Sequence, residues 1–112
     1  METTRAIDCF FALAQPARLH AVRTLVRAGD EGMAAGQLAA HLDIRPNLLS
    51  SHLGILKAAG LVSAQRQGRI VRYRIRFDTL RALTGFLLED CCGGLPGSVE
   101  PALAQLFEGA TT

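Results

Sequence analysis

Apolar residues recur through the first sixty positions at the spacing of short amphipathic helices, and the pattern then shifts to the period of strands. Residues 3–14 carry Ile7, Phe10, Phe11, Leu13 and Ala14, which predicts a helix apolar on more than one face. Pro16, whose fixed φ suits a first helical position, opens a second helix striped by Leu19, Val22, Leu25 and Val26. "AGDEGM" breaks that helix, "AAGQLAAHL" predicts a short one over 35–42, and "DIRP" predicts a tight turn. "PNLLSSHLGILKAAG" follows, with Pro46 at its first position and Gly60 at its close. Two short strands flank Gln67-Gly68 as a hairpin. A last long helix is expected over roughly 79–91, capped by Asp78 and stopped by Gly93-Gly94, with a short helix near 100–107 in the tail. The order predicts a mainly α single domain over 1–112 with a small β-hairpin. A winged helix-turn-helix is expected, with the helix-turn-helix at about 35–60 and the wing at about 62–76.

The helix that begins at Pro46 has two unlike faces. Leu49, Leu53 and Leu56 line one side, and at 100° per residue Asn47, Ser51, Gly54 and Ala58 fall on the other. An ordinary surface helix would carry more charge there. A helix entering a DNA groove needs short hydrogen-bonding side chains near its start and little bulk along its face. Arg45 and Ser50 border that face and are candidate contacts with Asn47 and Ser51. His52 stands at its edge, where a DNA contact and a packing role are both open.

In the second strand of the hairpin Arg72, Arg74 and Arg76 share one face at period two, and Val71, Tyr73 and Ile75 share the other. With Arg66 and Arg69 these residues predict a wing that lies on phosphate, where contacts fix position and supply non-specific affinity. Charge sharpens the picture. Residues 45–77 hold seven cations and no acid, whereas 1–44 sum to −1 and 78–112 to −4. The formal net charge of +2 hides this block, which is a footprint for a polyanion such as double-stranded DNA. Eleven of the twelve cations are arginine, the residue whose planar fork suits phosphate.

The first and last helices, about 3–14 and 79–92, are more apolar than a monomer of 112 residues should tolerate. A second copy of the chain is the expected cover, and a two-fold homodimer also suits paired DNA half-sites. No apolar run approaches the ~20 residues of a membrane span, and the start carries acids without a cleavage-type leader, so a cytoplasmic protein is expected. There is no nucleophile with a base, no glycine-rich phosphate loop and no carboxylate pair placed for catalysis, so an enzyme is not expected.

The stretches "ALAQPARLHAVRTL", "QLAAHLDIRPNLLSSHLGILKAAGLV" and "RQGRIVRYRI" resemble the ArsR/SmtB family of winged-helix repressors. They cover residues 12–75, and "SSHLGILKAAGLV" is the most specific. The resemblance implies a homodimer, packed through its first and last helices, that releases operator DNA when an inducer binds. Where one arsenic-sensing branch has Cys-Val-Cys, before the recognition helix, this chain has "GMAAGQL". The zinc-sensing branch has Asp and His ligands along the last helix, and this chain has no His beyond His52, so that site is missing. Arg45 stands where many members have a serine cap. What remains is Cys91-Cys92, which resembles a branch of arsenite-responsive repressors with adjacent cysteines at this place, though this tail lacks a further cysteine.

Neighbouring cysteines make a poor disulfide, and all-thiol sites select soft acceptors. Zinc would want four ligands, more than three cysteines supply. Trivalent arsenic or antimony is satisfied by three sulfurs, or by two when a carbon or hydroxyl fills the third place. Cys91 and Cys92 are therefore the candidate ligands, and Cys9 is the one available third sulfur, from its own or the partner chain; Cys9 as a small core residue is an equal alternative. Two other functions compete: a redox or persulfide sensor of the same fold, and a thiol protein that sequesters metal without DNA. His20 and His41 are expected at surfaces or helix ends.

Overall fold

The structure, a computed structural model, describes residues 1–89. They form α1 (Thr3–Leu13), α2 (Pro16–Ala28), β1 (Met33–Ala34), α3 (Ala35–Leu42), α4 (Pro46–Ala58), β2 (Val62–Gln67), β3 (Ile70–Ile75) and α5 (Phe77–Leu88). A single 3-10 turn, Gly29–Glu31, joins α2 to β1. The protein is a winged helix-turn-helix: helices around a small antiparallel sheet of strand order β1-β3-β2. Cys91, Cys92, Gly93-Gly94 and the expected helix near 100–107 lie outside the described residues.

The helix starts follow local chemistry. Pro16 and Pro46 occupy first-turn positions, where a missing N–H goes unmissed. Gln15 caps α2, its Oε1 accepting from the Arg18 N–H at 2.9 Å. Arg45 takes the cap position of α4 without a side-chain bond. Between α3 and α4, Asp43 adopts a left-handed conformation (φ 54°), and the Ile44 N–H returns to the Ala39 carbonyl at 3.0 Å. This closes the turn of the helix-turn-helix.

The core gathers around α4. Leu49, Leu53, Leu56 and the following Leu61 are each at most 1% exposed, which contributes roughly 1.5–3 kcal/mol per side chain. Leu25 of α2 and Leu38 of α3 meet them, and Val62, Ile75 and Leu83 close the far side. The face of α1 that joins this core is small: Ala6, Cys9 and Ala12. Its large residues point outward, with Ile7 60% and Phe11 69% exposed.

Three expectations need correction. The inner stripe of α2 is Arg18, Ala21, Val22 and Leu25, while Leu19 and Val26 are exposed. The i, i+3, i+4, i+7 spacing of the true stripe centres better on one face, and an arginine masks it in the sequence. Asp78 does not cap α5; it lies inside the first turn, where its charge still suits the helix dipole. Strand β1 has only two residues, too few to show a period, yet it pairs Met33 with Tyr73 and Ala34 with Arg72.

That third strand depends on Gly32. Its φ is +65°, and a Cβ would run into the Tyr73 carbonyl oxygen. Gly29 has the same φ class but open space around it. Gly29→Ala is expected to cost about 1–3 kcal/mol from backbone strain alone. Gly32→Ala should cost clearly more, because β1 must part from β3. Paired urea denaturation curves measure the difference, and equal losses would show that β1 yields without cost.

Candidate nucleic-acid interface

Leucine burial fixes how α4 presents its opposite side. With Leu49, Leu53 and Leu56 turned inward, Asn47, Ser51, Gly54 and Ala58 are exposed, as are Arg45 and Ser50. The Ser51 hydroxyl donates to the Asn47 carbonyl at 3.4 Å, which leaves its lone pairs free to accept. This outer surface is shallow and uncharged along its length, with a cation at each end, Arg45 and Lys57.

His52 has a different setting. It is half-buried, and its Nδ1 lies 3.3 Å from Nη1 of Arg18. Arg18 is only 8% exposed. Its Nε donates to the Ala12 carbonyl at 2.6 Å and Nη2 to the Phe11 carbonyl at 3.5 Å. Its guanidinium carbon sits 5.9 Å from the centre of the Phe11 ring. Among the described residues no carboxylate balances this charge, and the one ion pair there is Arg76–Asp78. Leaving a buried charge unpaired costs several kcal/mol. Here the carbonyls at the carboxyl end of α1 offset that cost, since a helix end of that polarity favours a cation. Arg18 was not legible as a site residue. Its only signal is the spacing that sets it in line with Ala21, Val22 and Leu25.

The wing divides its arginines into two sets. Arg66 and Arg69 are exposed near the hairpin tip. Arg72 and Arg74 share one face as the period predicts, but each is half-buried and engaged. Arg72 donates to Gln67 Oε1 at 3.1 Å and to the Glu31 carbonyl at 3.1 Å. Arg74 donates to the Asp30 carbonyl at 2.9 Å and to Gln65 Oε1 at 2.6 Å. The pair therefore fastens the sheet to the 3-10 turn. Arg66 lies opposite Val71 in the register, on the other face. Arg76 falls beyond β3 and pairs with Asp78 at 3.3 Å, a contact that holds the Asp78 carboxyl below its ordinary range. As an exposed pair it contributes little to stability.

Cys9 is fully buried between α1 and the end of α4, its thiol donating to the Ala59 carbonyl at 3.5 Å. Desolvation raises its pKa, partly countered by Arg5 and reinforced by Asp8. It is a protonated core thiol at neutral pH. Among the described residues no group of three or more His, Cys, Asp or Glu could hold a metal ion, and no helix is long and apolar enough to cross a membrane.

A small polar groove helix, a following turn and a cationic hairpin together define a winged-helix DNA-binding domain. A helix-turn-helix domain family matches residues 13–63. The transcriptional repressor SdpR of Bacillus subtilis is 33% identical over 81 residues, covering 72% of this chain and 87% of SdpR. A possible transcriptional regulator for arsenical resistance is 32% identical with a TM-score of 0.61, over 72% of this chain and 84% of that one. A homodimeric winged helix-turn-helix DNA-binding domain from Mycobacterium bovis, a possible ArsR-family regulator, is 28% identical with a TM-score of 0.63, over 78% and 81%. The chain belongs to the ArsR family of winged-helix transcriptional regulators. Its relatives are regulators rather than enzymes. The matches span just under two-thirds of the length of some longer relatives, 66% and 64%.

The two arginine sets should respond differently. Arg74→Ala loses two hydrogen bonds and should destabilise the fold by about 1–2 kcal/mol. Arg69→Ala should leave stability unchanged and lower the salt dependence of DNA binding by about one unit. Thermal melts and binding titrations at several salt concentrations separate these effects. A wild-type melting curve for Arg74→Ala would dissolve the distinction.

Proposed function

We propose that the chain is a homodimeric repressor that leaves its operator when trivalent arsenic binds Cys91 and Cys92. The observation that carries the DNA half is the exposed, uncharged outer face of α4 beside seven cations and no acid over residues 45–77. Asn47, Ser50 and Ser51 are the candidate base readers, and Arg45, Arg66 and Arg69 reach phosphate. Arg72 and Arg74 add charge while they brace the wing. That the relative SdpR is a transcriptional repressor supports the direction of regulation.

The dimer half is supported by Ile7, Phe11 and Leu87, each at least 60% exposed on the first and last helices, and by the homodimeric state of the Mycobacterium bovis neighbour. Leu87→Asp would set an uncompensated charge into such an interface. Sedimentation is expected to give a dimer for the unmodified protein at micromolar concentration and a monomer for Leu87→Asp. A monomeric unmodified protein would remove the two-half-site reading.

For the inducer, the support is the adjacent cysteine pair, the softness of an all-thiol site, and a neighbour described as a possible regulator for arsenical resistance. Cys9 is sealed in the core, so it could add a third sulfur only after α1 parts from α4. A two-thiol site with a carbon or hydroxyl on arsenic fits that burial best. In fluorescence anisotropy with a duplex selected by the protein from a random pool, arsenite and methylarsenite should both release the DNA. Cys91→Ser and Cys92→Ser should still bind it and no longer release it. Cys9→Ala should respond to both compounds as the unmodified protein does. Loss of the arsenite response alone in that variant would place Cys9 in a three-sulfur site, and normal release by the Cys91 and Cys92 variants would end the arsenic reading.

A further inference from the structure

We propose that Arg18 is a positioning residue of the DNA interface: it holds His52 as the Nε2–H tautomer, so that α4 offers a hydrogen-bond donor to a backbone phosphate. A guanidinium has five donors and no acceptor. Its Nη1 lies 3.3 Å from His52 Nδ1, so Nδ1 must present its lone pair. In the neutral ring the proton then sits on Nε2.

Arg18 cannot swing away to accommodate the other tautomer. Its Nε is held by the Ala12 carbonyl, its Nη2 by the Phe11 carbonyl and its backbone N–H by Gln15. Phe11 lies under the guanidinium, and the residue is nine-tenths buried. The donor is therefore held by contacts with α1 and Gln15 that do not involve α4. One side chain links the carboxyl end of α1 to the middle of α4.

His52 stands about 100° around the helix from Ser51, at the border between the exposed face and the leucine stripe, and it is half-buried there. When a helix lies in the major groove, its face meets base edges and its borders meet the phosphates of the groove walls. A fixed N–H at that border suits a phosphate oxygen. Lysine could not replace Arg18, because a single ammonium does not offer the planar fork that reaches a carbonyl and an imidazole at once. The assignment of a phosphate rests on the reading of α4 as the DNA-reading helix; the tautomer does not.

The test uses the full-length protein. Nitrogen-15 NMR of its imidazoles should show His52 with an acceptor-type Nδ1 and a protonated Nε2. Arg18→Lys should return that ring to a mixture of tautomers. DNA affinity is then measured with a duplex selected by the unmodified protein from a random pool. His52→Gln places an amide N–H near the site of Nε2 and should bind within about threefold of the unmodified protein. His52→Asn keeps an acceptor for Arg18 but falls short of the phosphate, and should lose about tenfold. Arg18→Lys should lose a similar factor, and Arg18→Lys with His52→Asn no more than either alone. A protonated Nδ1 or a tautomer mixture in the unmodified protein overturns the proposal, even if the Arg18 variant does not fold. Multiplying losses in the double variant overturn the link to DNA. Failure of the unmodified protein to select any duplex would instead remove the DNA reading and leave the tautomer to be judged by NMR.

Discussion

Burial of the α4 leucine stripe is the constraint from which the rest of the structure follows. Leu49, Leu53 and Leu56 pack into a site walled by α1, α2, α3 and β2. Their burial does two things at once. It supplies much of the hydrophobic stabilisation of a small domain, and it fixes the rotation of α4 about its axis. Asn47 and Ser51 face outward because the leucines face inward. The proposed reading of DNA by a few short side chains needs that rotation held to a small fraction of a turn, and the contacts that fold the protein are the ones that hold it.

Arg18 adds a polar constraint to the apolar one. Leucines hold a helix by shape and tolerate small adjustments, whereas a charged fork between two carbonyls and an imidazole has few alternatives. The two kinds of contact meet α4 on neighbouring faces. The small residues of α1, Ala6, Cys9 and Ala12, let that helix approach closely, and its large apolar residues are left outside. This division explains why α1 is apolar on more than one face: one face serves the core of its own chain and the other is open.

Much of this was legible in the sequence. The bounds of α2, α3 and α4, the turn at Asp43–Arg45 and the hairpin followed from Pro16, Pro46, Gln67-Gly68 and the leucine period. Each of these signals is local. What could not be read was non-local. Strand β1 exists only because Met33 and Ala34 find an edge on β3, forty residues further on. The inner face of α2 was misplaced because a buried arginine looks like a surface residue until the carbonyls that satisfy it are known. Arg72 and Arg74 were read from charge as phosphate contacts, and charge carries no record of the Asp30 and Glu31 carbonyls they bind. Cys91 and Cys92 lie beyond the described residues, so the reading of that pair rests on thiol chemistry and on resemblance to other repressors.

The tether between the wing and the 3-10 turn has a consequence for how the protein searches. A hairpin left loose would be ordered anew at each encounter with a duplex, and the entropy of that ordering would oppose every landing. Here β1 pairs along one side of β3, and the arginine forks of Arg72 and Arg74 tie β3 to the 3-10 turn and to Gln65 and Gln67. The exposed tip, with Arg66 and Arg69, is carried on this braced sheet, which directly follows α4 in the chain. For the proposed DNA contact, the hairpin then needs little further ordering when it meets a duplex, and the salt dependence of its phosphate contacts sets the cost of each landing.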